Sequence, residues 1–219
     1  MKRWILAALL GWGLLAGAPA RAEPAPLARQ LCASCHGADG NGPGPAPRLA
    51  GQQAGYIEQQ WQAFRLHQRA DGGAHGAAMA ALKSEGDVKA LAAYFAAQPP
   101  APARSAGGDP ALLAAGRKLY AEGNLAVGTP PCFSCHGDRG EGGSAAPRLA
   151  GQHAAYLARR MRVSDVRHPH APGQVSSMLA RRMRVSDAPQ PDSAMEMQEI
   201  LKTMSADDIK ALLAYLATL

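Results

Sequence analysis

The sequence predicts an all-α protein built from two tandem, related modules. Three observations predict it. Cys32-Ala33-Ser34-Cys35-His36-Gly37 recurs as Cys132-Phe133-Ser134-Cys135-His136-Gly137, and Pro47-Arg48-Leu49-Ala50-Gly51-Gln52 recurs as Pro147-Arg148-Leu149-Ala150-Gly151-Gln152. Both repeats have an offset of 100 residues, and Tyr56 is matched by Tyr156 at the same offset. Apolar residues fall at helical spacing in several segments, and no segment alternates with period two for long.

Taken in chain order, the first element is an export signal. Lys2 and Arg3 precede an almost wholly apolar stretch from Trp4 to Ala18, and Ala20-Arg21-Ala22 places small residues where a signal peptidase cuts. Residues 1–22 are therefore expected to be a cleaved secretory signal peptide, since the apolar run is short for a membrane span. No other long apolar run follows, so a soluble mature protein with at most peripheral membrane association is expected. Its 197 residues suit two domains of about 100 residues each.

The N-terminal module is assigned to residues 23–103 and the C-terminal one to residues 104–219. Between them, Gln98-Pro99-Pro100-Ala101-Pro102-Ala103 reads as a linker, because proline ends the preceding helix and favours an extended path. Helices are expected over residues 56–68, 110–121 and 156–163, the second opened by Asp109 as N-cap with Pro110 in the first turn. Each module closes alike. Ser84 and Asp87, and Ser205 and Asp208, have the spacing of capping boxes, with Asp in place of Glu or Gln. After them Val88, Leu91, Ala92 and Phe95 share one helical face, as do Ile209, Leu212, Leu213 and Leu216. A shorter repeat, Leu157–Asp165 reappearing as Leu179–Asp187, is a 22-residue internal duplication that reads as a tolerated surface insertion; a basic docking patch is the alternative.

The chemistry sits in the four cysteines. An even count in an exported chain suggests disulfides, but here each pair is spaced Cys-x-x-Cys and followed at once by histidine. That is the attachment signature of a c-type haem: two thiols add to the vinyl groups on one porphyrin edge, and the next residue sets its imidazole under the iron. Zinc lacks a matching second Cys or His pair within each module, and a redox dithiol lacks a βαβ context. Two covalently bound haem c groups follow, on Cys32, Cys35 and His36, and on Cys132, Cys135 and His136. Loss of Lys2, Arg3 and Arg21 leaves 20 of the 23 basic residues against 17 acidic ones, or +3. Four haem propionates bring this to about −1, which argues against nucleic acid as a partner.

With the paired Pro-Arg-Leu-Ala-Gly-Gln segments and the closing helices bearing Ala92-Ala93-Tyr94 and Leu213-Ala214-Tyr215, the chain resembles the cytochrome c4 family. These are dihaem proteins made of two class I cytochrome c domains. The resemblance implies two facing domains related by pseudo-two-fold symmetry, with haems that meet across the interface through their propionate edges. It assigns the carbonyls of Pro47 and Pro147 to the Nδ1–H groups of His36 and His136, a contact that orients a metal-binding imidazole. It offers Arg48, Arg148, Tyr56 and Tyr156 as propionate contacts, while Trp61 is read as core.

The resemblance places the axial methionine eight residues before the serine that opens the last helix. From Ser205 this gives Met197, with Met195 as the fallback; from Ser84 it gives Gly76, which is not a ligand. Met79, the only methionine of mature module one, is then the choice, with a short deletion in the loop; His75 is the competitor, and no sixth protein ligand is the remaining alternative.

A thioether ligand favours ferrous iron and raises the potential, so the implied function is electron carriage rather than enzymatic turnover. The implied setting is the periplasm, with a quinol-oxidising complex or dehydrogenase as donor and a terminal oxidase as acceptor. The rivals are a cytochrome subunit of a membrane dehydrogenase or oxidase and, more remotely, a dihaem peroxidase-like enzyme.

Overall fold

The computed structural model describes residues 24–103, 108–143, 146–161 and 192–219. The export signal and the 22-residue duplication beyond Met161 lie outside them. The described chain is helical, with a single isolated bridge between Asn124 and Thr129.

Module one opens with α1 (Pro24–Leu27), which widens into a π-helical turn over Ala28–Cys32 and continues as α2 (Ala33–His36). It then forms α3 (Ala54–Arg65), α4 (Gly76–Ala81) and α5 (Glu85–Ala96). Ser84 caps α5: its Oγ accepts the Asp87 N–H at 3.0 Å and donates to the Asp87 carboxylate at 2.6 Å. The expected face of α5 is the buried one, with Val88, Leu91, Ala92 and Phe95 all inside. They join Ala28 and Leu82 in a core lined by Leu31, Cys32, Leu49, Ile57 and Trp61.

Module two repeats the plan with α6 (Pro110–Glu122), α7 (Phe133–His136), α8 (Ala154–Arg160), α9 (Asp192–Lys202) and α10 (Ala206–Leu216). Asp109 accepts the Ala111 N–H at 2.9 Å ahead of Pro110. At Ser205 the capping box is reciprocal, the Ser205 N–H donating to Asp208 at 2.9 Å while Ser205 Oγ accepts the Asp208 N–H at 3.1 Å. Helices α6 and α10 cross at Gly116, where a Cβ would stand 2.0 Å from the Ala211 carbonyl oxygen. Glycine is what lets the two backbones approach there. The core is Leu119, Tyr120, Leu157, Met161, Leu201, Leu212 and Leu216, with Cys132 and Met197 packed against it. Of the expected α10 face, Leu212 and Leu216 are buried, whereas Ile209 and Leu213 are half-buried.

The modules meet through a reciprocal exchange. Gln152 Oε1 accepts the Arg48 N–H at 2.8 Å and Gln152 Nε2 donates to the Arg48 carbonyl at 3.1 Å. Gln52 does the same to Arg148, at 2.8 and 3.1 Å. A contact from one module to the other that is matched by the equivalent contact in the opposite direction is the pattern of a two-fold-related interface. Around this centre, His153 Nε2 donates to the Gly42 carbonyl at 2.8 Å, Gln53 Nε2 to the Glu141 carbonyl at 3.3 Å and Arg69 to Tyr156 Oη at 3.0 Å. The linker is tied to module one by Asn41, which donates to the Pro99 carbonyl at 3.0 Å and accepts the Ala101 N–H at 2.8 Å.

Candidate functional site: two haem-attachment turns

Each Cys-x-x-Cys-His segment is one helical turn, so both thiols and the imidazole are set by a single short element. In both modules the first cysteine of the pair is half-buried and the second exposed, and no disulfide joins any of the four. Before haem is attached, burial pushes the Cys32 and Cys132 thiols up to about 11. The turn ends at Gly37 and Gly137, whose φ values of 78° and 82° are ones an L side chain rarely adopts.

The next loop returns the chain to the imidazole. Gly42 N–H bonds the His36 carbonyl at 2.6 Å, and Gly142 N–H bonds that of His136 at 2.7 Å. Leu49 and Leu149 each donate to the glycine carbonyl nine residues earlier, Gly40 and Gly140, at 2.8 Å. This brings Pro47 and Pro147 over the rings. His36 Nδ1–H donates to the Pro47 carbonyl at 2.7 Å, and His136 Nδ1–H to the Pro147 carbonyl at 2.9 Å. Burial lowers the pKa of both imidazoles, with the proline carbonyls opposing the shift and His75 adding to it at His36. Neutral imidazoles with Nδ1 occupied leave Nε2 as the metal-binding nitrogen. Among the described residues no hydrogen bond engages either Nε2.

The donor set fits a c-type haem: two thiols one turn apart, then an oriented neutral imidazole, made twice. Trp61 adds a buried indole N–H that no described residue accepts. An unsatisfied buried donor is costly, so a ligand acceptor there is the physical resolution.

The remaining sequence candidates are spread over two places. Arg48 and Arg148 lie at the module interface, Arg48 Nη1 bonding the Gly151 carbonyl and Arg148 Nε the Ala150 carbonyl at 3.1 Å. Tyr56 and Tyr156 share Arg69 between them. Burial raises the pKa of the Tyr56 phenol, Tyr156 adds to the rise and Arg69 opposes it. Met197 is half-buried on α9 and packs on the cluster that also holds Cys132. Met79 is half-buried on α4, its N–H bonded to the His75 carbonyl at 2.8 Å.

Gln52 and Gln152 close the repeated segment, but nothing in their spacing marks them as interface residues. The phenols that brace the glycine turns are equally unmarked in the sequence: Tyr94 Oη donates to the Ala38 carbonyl at 3.0 Å and Tyr120 Oη to the Gly137 carbonyl at 2.5 Å.

Comparison with known proteins agrees with this geometry. The cytochrome c family model matches residues 25–98 and 113–219. Cytochrome c4 of Pseudomonas aeruginosa is 37% identical over 169 residues, covering 74% of this chain and 80% of that protein. A thiosulfate dehydrogenase electron acceptor of Thiomonas intermedia is 35% identical over 168 residues, covering 74% and 75%. The crystal structure of reduced cytochrome c4 from Pseudomonas stutzeri superposes with a TM-score of 0.66 at 30% identity, over 89% of this chain and 97% of that one. No helix among the described residues is long and apolar enough to cross a membrane. The duplicated turn, the paired modules and the match along nearly the whole of a dihaem relative have one common explanation: the chain belongs to the cytochrome c4 family, electron carriers with two covalently bound haem c groups.

Proposed function

We propose that the protein carries electrons in the periplasm, from a quinol-oxidising complex or dehydrogenase toward a terminal oxidase. The reading is supported by the export pattern of residues 1–22 and by one structural observation. The segments Pro47–Gln52 and Pro147–Gln152, which orient the two imidazoles, are also the segments that join the modules. One rigid contact thus holds both sites in fixed relation, which suits transfer within a single chain. When bound, each haem supplies a one-electron couple at its iron.

In this reading Cys32, Cys35 and His36 hold the first haem, and Cys132, Cys135 and His136 the second. Pro47 and Pro147 orient the imidazoles, and Met197 completes the second iron. Met79 and His75 both belong to module one, and the first iron takes one of them or no sixth protein ligand. The modules divide near residues 103 and 104.

A dedicated acceptor for a dehydrogenase is the second reading, favoured by the Thiomonas intermedia relative's designation. Reduced protein mixed with membranes that contain a haem–copper oxidase should be reoxidised rapidly, in a cyanide-sensitive way, without peroxide turnover. Slow reoxidation, with fast reduction by a thiosulfate dehydrogenase, would favour the second reading. Substituting Met197→Ala should leave both haems attached and lower one of the two potentials; unchanged potentials would remove Met197 from the iron.

A further inference from the structure

We propose that His75, rather than Met79, is the sixth ligand of the first iron, so that module one carries a bis-histidine haem beside a histidine–methionine haem in module two. The inference rests on the reading above that His36 binds the first iron. The His75 ring lies within 20° of parallel to that of His36, with their centres 6.2 Å apart. A metal–imidazole bond is about 2 Å, so two imidazoles on opposite sides of one metal ion have centres about 6 Å apart.

The surroundings of His75 are those of a positioned ligand. Its Nδ1 is paired with Asp71 Oδ2 at 2.9 Å, as that of His36 is with the Pro47 carbonyl, which leaves Nε2 for the metal. Asp71 is itself fixed, accepting the Gly73 N–H at 2.8 Å and the His75 N–H at 3.0 Å. Phe64 stacks on the imidazole at 4.4 Å and Trp61 meets it edge-on at 6.3 Å, so the ring is held on its faces as well as at Nδ1.

Met79 lacks a comparable setting. Among the described residues it is not one of the side chains packed on the cluster with Cys32, whereas Met197 packs on the cluster with Cys132.

The consequence is a built-in direction. A thioether raises the potential and a second imidazole does not, so the first haem is the lower of the two and an electron settles on the second. The test uses the whole dihaem protein. Haem per chain is measured first, then the red-edge methionine–iron charge-transfer band of the oxidised form, scaled to haem, and then the two potentials.

One methionine band for two haems is expected, with no high-spin iron. Met79→Leu should leave the band and both potentials unchanged, while His75→Ala should convert one low-spin haem to high spin and leave the band intact. A band worth two methionines, halved by Met79→Leu, would overturn the proposal, as would a high-spin first haem in the unsubstituted protein. Fewer than two haems per chain would overturn the dihaem reading as well, so the two failures are distinguishable.

Discussion

At the residue scale the site is governed by a few hydrogen bonds that orient rings and turns. A proline has no N–H to offer, but Pro47 and Pro147 present carbonyls whose only role at the rings is to hold Nδ1. Asn41 is a second small anchor. Its N–H and its side chain both bond the Asp39 carboxylate, at 3.0 and 3.1 Å, while the same side chain grips the linker. The Asn41 backbone and side-chain bonds hold the Asp39 carboxyl below its usual range. A group whose folded pKa is depressed contributes stability above its unfolded value and loses it as pH falls through the folded one. NMR of the Asp39 carboxyl and the Ala101 amide should therefore show no change from neutral pH down to the ordinary carboxylate range, and a joint shift below it. An Asp39 that titrates at the ordinary value would show that the Asn41 contact does not persist in solution.

At the scale of elements, two features set helix stability. The Ser205 capping box satisfies donors that the first turn of α10 would otherwise leave unpaired. Ser205→Ala should cost about 1 kcal/mol in a urea titration of the holo-protein. The α6–α10 crossing is less forgiving. Besides the Ala211 carbonyl, a Cβ at Gly116 would meet Tyr215 Cβ at 2.8 Å, and backbone cannot yield as a flexible side-chain tip does. Gly116→Ala should destabilise module two by about 1–3 kcal/mol or more, read as a lower Tm. An unchanged Tm would mean that the helices cross elsewhere in solution.

On the scale of the whole molecule, the Gln52–Gln152 exchange is the central device. Each carboxamide satisfies an N–H and a carbonyl of the opposite module, so removing one leaves two half-buried backbone groups without their partner. Gln52→Ala is expected to cost about 1–3 kcal/mol of module–module association. The double variant with Gln152→Ala should separate unfolding into two transitions while each module keeps its haem. A single cooperative transition in the double variant would shift the joining role to the His153, Gln53 and Arg69 contacts.

The sequence by itself determined the local features of this protein. The Cys-x-x-Cys-His turns, the capping serines, the apolar face of α5 and the duplication all depend on residues close in the chain, where covalent spacing leaves little freedom. The helix expected over residues 56–68 ends earlier, at Arg65, because Leu66 and His67 leave the helix and His67 takes a φ of 54°. What only the tertiary structure decided are contacts between residues far apart: glutamines 52 and 152 across the interface, Gly116 against Ala211, and the His75 ring facing that of His36. A glutamine in a repeated hexapeptide carries no local mark of its partner, and the sequence, which offers both Met79 and His75 in module one, does not say which ring lies beside that of His36. Both depend on how folding places residues far apart in the chain, bringing backbone groups to hydrogen-bonding distance and ring centres to 6.2 Å, which is a property of packing and not of spacing along the chain.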